Sequence, residues 1–99
     1  MSDDQDNMVI FNMADEFIEV ANRLMKEENK ELAHVSTALR YAAARFSTHE
    51  AACTFKELAT EREHLQTWYS NQFNAMLEEN FFEQIDLLSQ NFIVEMSDK

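Results

Sequence analysis

Residues 10–29 read IFNMADEFIEVANRLMKEEN, and the spacing of their apolar side chains decides the fold. Phe11, Ala14, Ile18, Ala21 and Met25 recur at steps of three, four, three and four, which puts them on one face of a helix. Ile10, Phe17 and Leu24 make a second row, and Met13 and Val20 a third. Together these rows cover about half the helix circumference, more than the ~100° stripe a surface helix needs. Asp15 and Asn22 stand seven residues apart on the polar edge of the seam. The pattern predicts a first helix from about Asp6 to Glu28. Asn29 would close it, because Asn tolerates the left-handed conformation that ends helices where Gly is missing.

The same periodicity continues. Leu32, Val35, Leu39, Ala42, Phe46, His49 and Cys53 keep the three-four spacing and predict a second helix from about Lys30 to Ala52. Four alanines between Ala38 and Ala44 let a neighbouring helix come close. The link between these helices is so short that they are expected to run antiparallel. Thr54-Phe55-Lys56-Glu57 and Thr60-Glu61-Arg62-Glu63 both match a capping box. A short irregular stretch is therefore expected between Cys53 and Thr60, followed by a third helix carrying Leu65, Trp68, Tyr69, Phe73, Met76 and Leu77. Asn80 repeats the device of Asn29 after a similar Met-Leu-Glu-Glu run, and predicts a break before a fourth helix with Phe81, Ile85, Leu88 and Phe92 on one face. The alternative is one helix from Thr60 to Glu95, about 54 Å long. That length exceeds a compact monomer of this size and would imply a dimer. The expected fold is all-α: a compact antiparallel bundle of three to four helices, forming a single domain over residues 1–99 with flexible tails at 1–6 and 96–99.

Composition agrees with helices and removes several functions. The 99 residues include no Gly and no Pro. Tight hairpin turns need positive φ, usually from Gly, so a β-rich chain of this composition would be hard to turn. Gly-rich phosphate loops and the Gly-dependent nucleophile elbow are excluded outright. The single thiol, Cys53, cannot form an internal disulfide. An acidic start without a basic, apolar leader points to the cytoplasm. The net charge is −11. Its acids crowd both ends of the chain, while residues 32–60 are close to neutral. Such a surface repels nucleic-acid phosphates and anionic lipid, so neither is an expected partner.

Two segments carry a resemblance: Met13-Ala-Asp-Glu-Phe-Ile-Glu-Val-Ala-Asn22 and Ser36-Thr-Ala-Leu-Arg-Tyr-Ala-Ala-Ala-Arg-Phe46. With Met76-Leu77-Glu78-Glu79-Asn80, they resemble a family of short proteobacterial proteins catalogued as domain of unknown function 3144. The resemblance implies a small helical bacterial protein and carries no activity with it.

No chemical motif stands out from its structural alternative. Glu31-Leu-Ala-His34 and Glu61-Arg-Glu-His64 share the Glu-x-x-His spacing of di-iron bundles. Both begin their helices, however, and both histidines lie off the apolar seams, so exposed helical charge is the expectation and no metal or cofactor is assigned. His49 and Cys53 share a face and could ligate a metal, but lack further ligands at comparable spacing. Asp15, Asn22, Tyr41, Arg45 and His49 are the candidate binding residues. An Asp15–Arg45 ion pair would set the register of the first two helices. No catalytic residues are assigned. The wide apolar arc of the first helix, together with eight Phe and six Met, exceeds what a small bundle can hide, and surplus apolar surface marks interfaces. A self-associating protein-interaction module, most simply a homodimer, is therefore the leading expectation, with Met13, Val20 and Leu24 at its surface. The alternatives are a small-molecule or metal site on the Tyr41/Arg45/His49 face, and an acidic partner for a basic protein surface.

Overall fold

A computed structural model describes residues 3–97, with side chains for residues 5–91. Three helices follow one another: α1 over Asp3–Lys26, α2 over Leu32–Thr54 and α3 over Leu58–Ser97. No strand occurs among the described residues. The chain divides into two compact units, one up to His49 and the other from Glu50 onward. The first holds α1 and most of α2. The second holds the last residues of α2 and all of α3.

In the first unit, α1 ends where its sequence says it should. Asn29 adopts the left-handed conformation, with φ at 55°. The turn swings the Lys30 N–H back to donate to the Leu24 carbonyl at 3.0 Å. One of the carbonyls that a helix end leaves unpaired is thereby satisfied. Arg23 and Lys26 occupy the last turn of α1, where cations complement the negative end of the helix dipole. The Val35 N–H then donates to the Glu31 carbonyl at 3.0 Å and starts α2. Among the described residues of this unit, Val35 is the buried apolar one, 7% exposed. Beyond it, Phe17 of α1 and Leu39, Ala42 and Phe46 of α2 flank an apolar groove of about 410 Å³.

In the second unit, the link from α2 to α3 is only residues 55–57. The Glu57 carbonyl accepts from the N–H groups of both Thr60 and Glu61, at 3.1 and 3.2 Å, so α3 starts at Leu58. Neither expected threonine cap forms. Thr54 instead donates its hydroxyl to the Glu50 carbonyl at 2.9 Å, inside α2. Ala51, 4% exposed, is the buried apolar residue among those described here.

The expected break at Asn80 does not occur, and neither does a fourth helix. Asn80 turns its amide back along the axis and donates from Nδ2 to the Met76 carbonyl at 2.8 Å. That bond fits inside an intact helix. The apolar positions Leu77, Phe81, Ile85 and Leu88 run straight through the site, with no Gly or Pro to stop them. The result is one helix of 40 residues, about 60 Å long. Of the expected tails, residues 1, 2, 98 and 99 lie outside the described residues, whereas 3–6 and 96–97 continue α1 and α3.

Candidate functional site

The second unit contains a cleft built from two helix faces and the link between them. Glu50, Ala51 and Thr54 are spaced to share one side of α2. Glu61, Leu65, Trp68 and Tyr69 recur on one side of α3 at the three-four spacing of a helix face. With Phe55 from the link and His64, they enclose about 310 Å³, the lower end of the range for small-ligand sites.

A hydrogen bond ties the two walls. The Tyr69 hydroxyl donates to Glu50 Oε1 at 2.6 Å, across 19 residues of sequence. A short bond to an ionised acceptor is a strong one. It also raises the Tyr69 phenol above its ordinary value of 10.0, first through the hydrogen bond itself, then through desolvation, then through the negative charge of Glu50. Ionising the phenol would remove the donor and set two anions side by side. The Trp68 ring meets Tyr69 edge-on, with centroids 5.1 Å apart and planes at 83°. The cleft therefore pairs aromatic surface with two carboxylates, Glu50 and Glu61.

The sequence-derived candidates lie elsewhere. Asp15, Asn22, Tyr41, Arg45 and His49 are all exposed. Asp15 and Arg45 form no ion pair among the described residues. Tyr41 is 67% exposed, and none of the three residues Tyr41, Arg45 and His49 lines the apolar groove beside Phe17 and Phe46. The His49 ring lies beside Phe46, with centroids 5.7 Å apart and planes tilted by 54°. Of the proposed surface row, Met13 and Val20 are exposed, while Leu24 is half-buried. Leu24 lines a recess of about 230 Å³ with Val35 and Ala38. Glu31 and His34 approach each other at 3.8 Å on open surface. Among the described residues, no three His, Cys, Asp or Glu side chains stand close enough to hold a metal ion. Cys53 is exposed. No described helix is long and apolar enough to cross a membrane.

Sequence reasoning missed Glu50, read Phe55 only as part of a helix-end signal, and read Trp68 and Tyr69 only as apolar positions of the third helix. Glu50 and Tyr69 become neighbours only when the length of the link is known. The adjacency of the lone Trp to a Tyr was the available signal.

Residues 10–85 match the family described as protein of unknown function DUF3144. The chain belongs to this family. The match covers most of α1, all of α2 and most of α3, and includes every residue of the cleft. No curated protein and no solved structure matches the DUF3144 chain.

Proposed function

We propose that this DUF3144 protein is a helical interaction module whose first partner is a second copy of itself. The supporting observation is the poverty of its own core. Val35 and Ala51 are the buried hydrophobic residues among those described, and no side chain there is completely enclosed. A chain of this size keeps its fold by burying apolar surface, and two small residues cannot offset the entropy of ordering it.

The exposed apolar surface also has a shape. Past the cleft, α3 carries Phe81, Ile85 and Leu88 within about 60° of one another, with Phe82 about 100° to one side of Phe81 and Leu87 about 120° to the other. All five are exposed, Leu88 by 65%. A helix apolar on several faces needs more than one neighbour. In the first unit, Phe17 and Phe46 flank the apolar groove yet remain exposed, Phe46 by 72%. Met13 and Val20 add to that surface. A symmetric pair is the commonest way for a chain to cover such faces. The proposed role is binding rather than catalysis, in the cytoplasm.

Sedimentation velocity at tens of micromolar tests the proposal. A dimer is expected, and Ile85→Glu is expected to shift it to monomer with loss of helicity. A cooperatively folded monomer over the whole concentration range would overturn it.

A further inference from the structure

The cleft of the second unit lies beyond this reading and has a chemistry of its own. Its volume, about 310 Å³, holds a small group rather than a helix. Trp68, 52% exposed as a residue, lines the cleft, and Phe55 and Tyr69 add aromatic wall. Glu50 and Glu61 supply two carboxylates, and Glu50 is already held in place by Tyr69 at 2.6 Å. Aromatic faces attract cations through their quadrupole, and carboxylates attract them through charge. An anion would meet two like charges here. A neutral apolar group would take water from the carboxylates and offer them no hydrogen bond in return. The net charge of −11 adds a field that draws cations toward the whole surface.

We propose that the cleft between the end of α2 and the start of α3 binds a guanidinium group, stacked on Trp68 and paired with Glu61 and Glu50. Guanidinium is planar, weakly hydrated and able to bond a carboxylate through two parallel N–H groups. It stacks on an indole while doing so. The group could arrive as a free small molecule or as the side chain of an arginine in a peptide. Both sources present the same chemistry to the cleft.

Trp68 is the protein's one tryptophan, so its fluorescence reports on the cleft alone. The full-length protein is titrated with methylguanidinium, with its neutral isostere methylurea, and with the blocked peptides acetyl-Ala-Arg-Ala-amide and acetyl-Ala-Gln-Ala-amide. Sodium chloride holds ionic strength constant. Saturable emission changes are expected with methylguanidinium, at a Kd on the order of 1 mM for so small a probe, and none with methylurea. Glu61→Gln is expected to weaken binding about threefold to fivefold, as loss of one partly exposed ion pair does, without changing the circular dichroism spectrum. Equal affinity for methylguanidinium and the arginine peptide would assign the site to free cations. Tenfold tighter binding of the peptide would assign it to arginine side chains. A response shared by methylguanidinium and methylurea, or absent with all four probes, would overturn the proposal. So would wild-type affinity in a folded Glu61→Gln variant. The comparison of methylguanidinium with methylurea requires no variant, so the proposal stays open to refutation even if the substitution disturbs folding.

Discussion

Asn29 shows how much one residue can do in a chain that lacks Gly. At its φ of 55° a Cβ crowds the carbonyl that follows, a cost that Asn offsets because its short polar side chain can hydrogen-bond locally and that other side chains bear in full. Asn29→Ala should therefore lower stability by about 1 kcal/mol, and Asn29→Gly should preserve or slightly raise it. Thermal denaturation of the two variants side by side checks this, and an equal loss in both would remove the conformational explanation. Tyr69 offers a second test at this scale. Its phenol is raised above 10.0 by the bond to Glu50, so the unfolded chain loses that proton before the folded one does. The contribution is complete below pH 10 and declines as pH rises through the folded value. In a Tyr41→Phe background, phenolate absorbance should have its midpoint above 10, and adding Glu50→Gln should move it back down. A midpoint indifferent to Glu50 would mean the bond is absent in solution.

Along the helices, two nearly identical strings meet opposite fates. Glu27-Glu28-Asn29 leads out of α1, while Glu78-Glu79-Asn80 lies inside α3. What differs is the sequence that follows. Lys30 and Glu31 have no apolar contact to extend, whereas Phe81 and Phe82 continue a seam already running through Met76 and Leu77. Asn80→Ala should accordingly raise helix stability by a few tenths of a kcal/mol, since Ala is the better helix former and no cap is lost. Asn80→Pro should cost about 3 kcal/mol or more by breaking the helix. Circular dichroism with thermal melting distinguishes these outcomes, and a destabilised Asn80→Ala would restore the break. The contrast also marks what could be read from the sequence. Phe11 to Met25 and Val35 to Phe46 spelled out two helices, and Asn29 their boundary, because those signals are local. The continuity of α3 was visible as an unbroken seam, but the cap signal at Asn80 competed with it, and only the packing of a longer stretch decides between them. The Glu50–Tyr69 bond had no local signal, because it depends on how residues 55–57 turn the chain.

At the scale of the whole molecule, stability and association should be a single quantity. If the second copy supplies the missing core, unfolding and dissociation are linked by mass action. A tenfold rise in protein concentration should then raise Tm by roughly 2–4 °C. Differential scanning calorimetry over a hundredfold range of concentration measures this, and a constant Tm would mean each chain folds alone. Val20→Glu and Ile85→Glu separate the two units. Either substitution that monomerises the protein identifies the unit that carries the contact.

The links at residues 27–31 and 55–57 are short, and the sequence has no proline in them or anywhere else. Contacts within each unit are consequently close in sequence, the arrangement that folds fastest. With every peptide bond free of prolyl isomerisation, the slowest ordinary chemical step in refolding is missing. After a denaturant jump, no slow phase independent of protein concentration should appear. Any slow phase that remains should quicken with concentration, and would time the encounter of two chains.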